Sequence, residues 1–570
     1  MAKKEGWLAP KPWAGLAVGL GAFALAGLVL APAAGRDDAA ITAWAAQALA
    51  RYGQILNING KTLEQSSSLG QVLLQAAFMR LSGLPALLAG RAFSLLGGLL
   101  GLATLWVLAR RSQPGWRWVG AASLALLGGN IYYMYWSFGG LETTFAALAW
   151  LAFLAAWADM VIPGQTGAWG PGAKRRLLVA AACAVLAFLL RPEAPLLGIA
   201  FAGAMLLLEL ARPKRDHREQ SGLGWHAAFL LVCVGYFGAL LAWRLWMFGM
   251  PFPQPVAAKV GGQSLAGLRV GALYLWASLA NAQTGPLVAL FSLGTAWQAW
   301  RWLRRRPAQA LETGAVVLAL AGFGFVLTSA GDWMEGGRFV VPYLPLLALV
   351  ALKPARALWR KNWGRVGLAV LLAIQVWGAA RFLAEDSMAI PAWRGPLPVS
   401  LNPLDLEDWL VSHNAAMARD RSFVPLLERE IERLLAARGA PVAVMSGQMG
   451  YVPLAINQRH YGQVVWVDRN SLVDDLFTRC PLTAAWERDE GGRLHVFYKP
   501  FAKNLLELQA QCGITQPDLV YELDYFRGQA ENQGFGVLAE QTGEIPHVGI
   551  AWPVGRTFPA GEFVAGAQGR

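Results

Sequence analysis

Charge is scarce in this chain. Only 15% of its 570 residues are Asp, Glu, Lys or Arg, against 55% hydrophobic, and mean hydropathy is +0.38. A soluble enzyme of this length carries more charge, so the composition points to a polytopic membrane protein. Cysteine is scarcer still, with four in all and no metal-ligand spacing among them. Cys183 and Cys233 lie inside apolar runs and read as buried thiols. Cys480 and Cys512 lie in a polar region and can form a disulfide if that region is extracytoplasmic. The six histidines make no ligand set; His413, His460, His495 and His547 all fall late in the chain and read as surface or core residues. No internal repeat or low-complexity tract stands out. The basic residues, which give a net charge of +13, are spread through short loops between apolar runs. That spread fits cytoplasmic loops and argues against nucleic-acid binding.

What is abundant is apolar sequence. Runs at 13–34, 88–109, 118–137, 141–162, 177–191, 194–211, 225–248, 284–302, 309–329, 338–352 and 366–384 approach spanning length. They give about eleven transmembrane helices. The first run follows Lys3, Lys4 and Lys11 and reads as an uncleaved helix starting in the cytoplasm. With that start, the basic clusters at Arg110/Arg111/Arg117, Lys174/Arg175/Arg176, Arg212/Lys214/Arg215/Arg218, Arg301/Arg304/Arg305/Arg306 and Lys353/Arg356/Arg360/Lys361/Arg365 all fall on the cytoplasmic face. The stretch from Leu69 to Leu84 must then not cross. It is short, carries Gln71, Gln75 and Arg80, and reads as a helix lying along the outer surface. The outer loops are 35–87, 138–140, 191–193, 249–283 and 330–337, and the chain after about 385 lies outside too.

The expected organisation is a transmembrane catalytic region, 1–384, and an extracytoplasmic soluble α/β domain, 385–570. The second region has more charge and short apolar runs such as Pro441–Met445 and Gln463–Val467 that read as strands, with a helix around 425–437 before the first.

The unusual charged residues gather at outer span ends. Arg36-Asp37-Asp38 follows the first run directly. One acid can serve as general base while the other orients it or binds a cation; both also suit a helix N-cap before Ala39–Trp44. Glu142 follows the turn Ser137–Leu141, Arg191-Pro192-Glu193 breaks two apolar runs, and Lys259 follows Pro251-Phe252-Pro253-Gln254-Pro255. Gly331-Asp332-Trp333-Met334-Glu335-Gly336-Gly337-Arg338 is a polar loop between two spans. Each has an ordinary reading as a turn, a local ion pair or an interface anchor. Ionisable groups near hydrocarbon are expensive, however, and a set of them at one depth is a functional-site expectation.

The order Arg-Asp-Asp-Ala-x-Ile-Thr, Gly-Leu-Glu-Thr, Arg-Pro-Glu, Pro-x-Pro with a later Ala-Lys, and Gly-Asp-Trp-Met…Arg-Phe-x-Val-Pro resembles the motif set of bacterial GT-C-type glycosyltransferases. The branch it resembles contains the mycobacterial cell-wall arabinofuranosyltransferases, and the likeness covers about residues 10–385. The chain departs from that branch at Leu56–Ser68 and at Pro253-Gln254-Pro255. The resemblance implies a GT-C-like membrane enzyme that moves a sugar, arabinofuranose or another pentose, from a polyprenyl-phosphate donor with inversion. It also implies a site facing the periplasm or cell exterior of a bacterial inner membrane. Asp37 or Asp38 is then the base. Arg338, Lys259, Arg191 and Arg91 are candidates for the donor phosphate, and Asp332, Trp333, Glu335, Glu142 and Glu193 for substrate binding. The expected partners are the lipid-linked sugar, membrane lipid, and an acceptor glycan or surface protein. A Mg²⁺- or Mn²⁺-like ion held by Asp38 or Asp332 is compatible with the oxygen ligands. In the soluble region Trp466, Tyr451, Tyr461, Asp468, Asp474 and Asp475 suit carbohydrate contacts, although core aromatics and surface charges are the plainer reading. The competing classes are a transporter or flippase of lipid-linked sugars, whose charges belong nearer the midplane, and a non-catalytic membrane scaffold.

Overall fold

A computed structural model describes residues 12–30, 37–160, 171–211, 221–259, 265–304, 310–329, 331–332, 336–384, 414–446, 449–468, 472–474, 517–521, 535–541 and 548–553. Every apolar run expected to span falls on helix. In chain order these helices are α1 (Pro12–Leu30), α2 (Asp37–Tyr52), α3 (Leu69–Ser82), α4 (Ala86–Ser112), α5 (Val119–Gly128), α6 (Ile131–Phe138), α7 (Thr143–Met160), α8 (Pro171–Leu190), α9 (Ala194–Leu210) and α10 (Ser221–Phe248). They continue with α11 (Gln254–Lys259), α12 (Leu265–Ala280), α13 (Gly285–Leu303), α14 (Ala310–Thr328), α15 (Leu344–Trp359) and α16 (Asn362–Ala384). Among the described residues, 86–112, 223–248, 310–328, 341–359 and 362–380 are long and apolar enough to cross a membrane on their own.

Two stretches differ from the sequence expectation. The run 118–137 divides into α5 and α6, because Asn130 caps a new helix there: its Oδ1 accepts hydrogen bonds from the Tyr132 and Tyr133 amides, each at 3.1 Å. Helix α6 then meets α7 at 111°. The hinge is Gly140, whose φ of +76° is costly for any other residue. The expected loop 249–283 contains α12, packed on α14 and burying Tyr274. One charge, Arg269, in a sixteen-residue apolar stretch explains why it folds inward rather than staying a surface loop.

The helical core is aromatic. Trp150, Phe153, Trp157, Phe188 and Phe201 are each at most 1% exposed, and they interlock edge-to-face across α7, α8 and α9. Short α3 starts at Ser68, whose Oγ accepts from the Gln71 amide at 3.3 Å, and stops at Gly83 in the left-handed conformation. Gln71 and Gln75 of α3 are buried; Gln71 Nε2 donates to Gly140 O at 2.7 Å and Gln75 Nε2 to Ala86 O at 2.8 Å.

Beyond α16 come α17 (Asn414–Arg438), β1 (Val442–Ser446), α18 (Tyr451–His460), β2 (Val464–Asp468), β3 (Leu519–Tyr521), β4 (Phe535–Gln541) and β5 (Val548–Pro553). They form one mixed sheet in the order β2-β1-β3-β5-β4, parallel between β1 and both β2 and β3, antiparallel in the other pairs. Cys480 and Cys512 lie outside the described residues.

The sheet region is sewn to the loop after α2. Asn59 Nδ2 donates to Trp466 O at 2.8 Å, and the Trp466 amide donates back to Asn59 Oδ1 at 2.8 Å. Asn57 Nδ2 reaches Val473 O at 2.9 Å, and Asn457 Nδ2 reaches Ile58 O at 2.8 Å. Trp466, Asp468 and Asp474, candidates for carbohydrate contact, are instead buried: Trp466 Nε1 donates to Asn457, Asp468 accepts from the Val473 amide, and Asp474 pairs with Lys61 at 3.0 Å. Trp466 is a core aromatic, as the plainer reading has it, but Asp468 and Asp474 are buried rather than surface charges, because the Val473 amide and Lys61 hold them.

Candidate active site

Six charged residues, far apart in sequence, meet where helix ends converge. Asp38 lies in the first turn of α2. Glu142 precedes α7, Arg191 and Glu193 join α8 to α9, and Asp332 and Arg338 lie between α14 and α15. Arg338 Nη1 donates to Asp38 Oδ2 at 2.8 Å and lies 3.8 Å from Asp332 Oδ2, while Nη2 is 3.6 Å from Glu142 Oε1. Arg191 Nη1 donates to that same Glu142 Oε1 at 2.8 Å, and Arg191 Nε to Glu193 Oε1 at 2.7 Å. Glu142 is thus the bridge between the two guanidiniums.

Aromatic rings fix the arginines. Arg338 lies 6.0 Å from the Trp136 ring centroid and Arg191 5.1 Å from that of Phe339. Trp136 Nε1 donates to Gly336 O at 2.8 Å, and the Phe339 amide donates to Tyr274 Oη at 3.3 Å. Gly331, with φ +76°, places its backbone against the Tyr274 ring.

Burial would lower the basicity of Arg338, but Glu142, Asp332 and Asp38 outweigh it and hold the guanidinium above its ordinary range, against a smaller opposing effect of Arg191. Arg338 is therefore charged at every working pH. Among the described members of the cluster, four carboxylates face two guanidiniums. Both Asp332 oxygens and Glu142 Oε2 are buried without a hydrogen bond. Such a set is costly to bury and is weak as a stabilising device, which favours a functional reason for keeping it.

Exposure separates the acids. The side chains of Glu142, Glu193 and Asp332 are 1%, 5% and 1% exposed, and that of Asp38 is 15%. Arg191 and Arg338 are 4% and 5% exposed. Arg91, on α4, borders the same site: a methyl on Gly140 would lie 3.8 Å from Arg91 Cγ and 3.4 Å from Ala39 Cβ. Trp333 and Glu335 lie outside the described residues. Asp37 opens α2 and Lys259 closes α11, but their side chains lie outside the described set.

A second buried ion pair ties the loop after α2 to α10. Arg244 of α10 grips Glu64 through two bonds, Nε to Oε2 at 2.8 Å and Nη2 to Oε1 at 3.0 Å. The Gln254 amide donates to Glu64 O at 2.9 Å, and Gln254 Nε2 to Asp474 O at 3.1 Å. The motif reading did not pick out Glu64 or Arg244 as site-shaping residues. The available signal was Arg244 itself, a lone cation deep in an apolar helix. Trp136, Tyr274 and Phe339 were missed because aromatic residues are common in apolar runs.

No family model matches the chain, and no curated protein matches it. Solved structures do. ArnT from Cupriavidus metallidurans bound to undecaprenyl phosphate aligns at TM-score 0.53 and 16% identity, over 96% of this chain and 100% of that one. Its apo state aligns at 0.54 and 16%, over 95% and 98%. The archaeal oligosaccharyltransferase AglB from Archaeoglobus fulgidus, in complex with an inhibitory peptide and a dolichol-phosphate, aligns at 0.51 and 12%, over 92% and 70%. The fold is that of the GT-C-type membrane glycosyltransferases, and the chain is a multi-pass membrane protein.

Proposed function

We propose that the chain is a polyprenyl-phosphate-dependent glycosyltransferase with Asp38 as its general base. The observation that carries this reading is the unequal exposure of the acids: of the four described carboxylates around the arginine pair, Asp38 alone keeps an appreciable opening. Structural neighbours that bind undecaprenyl phosphate and dolichol-phosphate support a lipid-linked donor.

In this mechanism the donor's tail lies in the bilayer and its phosphate at headgroup level, beside the helix ends. An acceptor hydroxyl approaches Asp38. Arg338 holds Asp38 Oδ2, which orients the carboxylate and leaves Oδ1 to take the proton. The acceptor oxygen bonds to the anomeric carbon as the bond from that carbon to the phosphate oxygen breaks. The centre passes through an oxocarbenium-like state with inversion, and polyprenyl phosphate departs with the electron pair. Arg191 acts as a positioning residue, since its guanidinium is committed to Glu142 and Glu193. Arg91 and Lys259 are then the proposed cations for the departing phosphate. The surplus of carboxylates and the two unbonded Asp332 oxygens fit a Mg²⁺- or Mn²⁺-like ion held by Asp332. Such an ion would supply further neutralisation of phosphate charge.

The proposed donor sugar is arabinofuranose or another pentose. The acceptor is a polysaccharide, a lipid-linked glycan or a surface protein, and the site faces the exterior of a bacterial inner membrane beneath an extracytoplasmic region, 385–570. Purified protein in nanodiscs, given a panel of synthetic polyprenyl-phosphate sugars, candidate acceptors and divalent metal, tests this by mass spectrometry. Polyprenyl phosphate released from one donor by the wild type, and lost in Asp38→Asn, is the expected result. Folded protein that releases none, or that only moves lipid-linked sugar between leaflets, overturns it.

A further inference from the structure

Away from the acid cluster, α17 and α18 bring three metal-capable side chains together. Glu428 and Glu432 lie one turn apart on the same face of α17, and His460 closes α18. Their ligand atoms all lie within 4.8 Å of one another. His460 Nε2 is 3.4 Å from Glu428 Oε1 and 3.6 Å from Glu432 Oε1.

The imidazole is the informative member. His460 is 9% exposed, and its Nε2 is buried without a hydrogen bond. Its other nitrogen, Nδ1, lies 3.2 Å from Gln463 Oε1. An amide oxygen only accepts, so Gln463 Oε1 holds Nδ1–H, and Nε2 is the ring atom that faces the two carboxylates. Two carboxylates and an imidazole nitrogen turned toward one another are a ready set of cation ligands. The hydrogen bond at Nδ1 is also the outer partner that orients a metal-bound histidine.

The spacing suits a zinc-class ion. Zinc binds histidine nitrogen at about 2.0–2.1 Å and carboxylate oxygen at about 2.0–2.2 Å, which places tetrahedral ligands roughly 3.4 Å apart. The two distances from Nε2 match that edge. We propose that Glu428, Glu432 and His460 form a zinc-class divalent metal site with water in the fourth position. Arg459, which is 3.1 Å from both Glu428 oxygens and 72% exposed, competes for Glu428 only as a surface ion pair and can swing into solvent.

Its place in the fold gives the site a role. Helix α18 packs on α2, the helix that begins at Asp37-Asp38. Gln458 Nε2 donates to Gln47 Oε1 at 3.1 Å, and Tyr461 stacks on Tyr52 with centroids 5.5 Å apart. A metal joining α17 to α18 would clip the sheet region together where it rests on α2. This site is independent of the glycosyltransferase reading.

The test uses full-length protein in detergent, stripped with chelator and then dialysed against Zn²⁺, with elemental analysis and thermal melting; Co²⁺ serves as the spectroscopic probe. The expected result is one Zn²⁺ per chain, a higher melting temperature, and the visible bands of tetrahedral Co²⁺. Glu432→Gln, at an exposed position that leaves folding intact, and His460→Ala should each weaken binding by at least about tenfold. Asp38→Asn should keep the ion. Retention of the metal with unchanged affinity in both site variants would overturn the proposal. So would folded wild type that holds no Zn²⁺.

Discussion

Arg191→Met and Glu142→Gln should destabilise the protein very unequally, although they remove the two ends of one ion pair. The guanidinium of Arg191 serves two carboxylates, Glu142 at 2.8 Å and Glu193 at 2.7 Å, with all three side chains at most 5% exposed. Methionine fills similar volume but leaves both acids buried without their cation. Breaking a buried pair from one side costs about 3–5 kcal/mol, most of it the stranded charge. Glutamine at 142 keeps an amide oxygen for Arg191 to bond and removes one negative charge from a cluster with twice as many carboxylates as guanidiniums. The loss is then the difference between a charged and a neutral hydrogen bond, about 1–1.5 kcal/mol. A gap of about 2 kcal/mol is roughly thirtyfold in the unfolding equilibrium. Titration with SDS from mixed micelles, followed by tryptophan fluorescence, reads that gap. If Glu142→Gln proves equal to or worse than Arg191→Met, the cluster is not acid-rich, and the account of its electrostatics fails.

Asp38→Asn should leave the unfolding transition near wild type and lower turnover by about 10²–10⁴, the usual worth of a positioned base, as measured by release of polyprenyl phosphate. Gly331→Ala should destabilise by about 1–3 kcal/mol in the same SDS titration, because φ is +76° and the new methyl would lie 2.5 Å from Tyr274 Cγ. Asn57→Ala removes three hydrogen bonds, two that Oδ1 accepts from the Asn59 and Lys61 amides and a buried one that Nδ2 donates to Val473 O, worth about 1 kcal/mol each. Its signature should be faster hydrogen exchange confined to loop 53–68 and β2, and a uniform change across the helices would contradict the local role.

Some of this architecture was legible because membrane sequences obey few rules strictly. Apolar runs become helices since lipid offers the backbone no other partner, and the described part of each run is largely helical, with a break at 129–130 and a turn and 3₁₀ segment over 336–343. Counting basic loops placed Asp38, Glu142, Arg191, Glu193, Asp332 and Arg338 at one face, and they do converge. The same rules were blind to α12. Its apolar stretch is too short for a span and follows a proline-stiffened segment, so it resembled loop until Tyr274 was seen packed beneath Gly331. They were equally blind to the break at Asn130, where a side-chain cap overrides continuous hydrophobicity.

The division of labour among the acids lay beyond sequence for a different reason. Asp38, Glu142, Glu193 and Asp332 are chemically near-equivalent, and only their surroundings separate them. Glu142 is closed in because α6 turns at Gly140 into α7 and Arg191 and Arg338 meet it from two other helix junctions. Asp332 is closed in by the chain reversal at Gly331, packed on α12. Asp38 stands at the start of α2, 15% exposed, while Gln47 and Tyr52 in later turns contact Gln458 and Tyr461. The hydrophobic cluster of the sheet region takes in Ala40, Ile41, Ala43 and Trp44 as well, on turns nearer Asp38. Packing along α2 with its N-terminal carboxylate left partly open is what the proposed base requires.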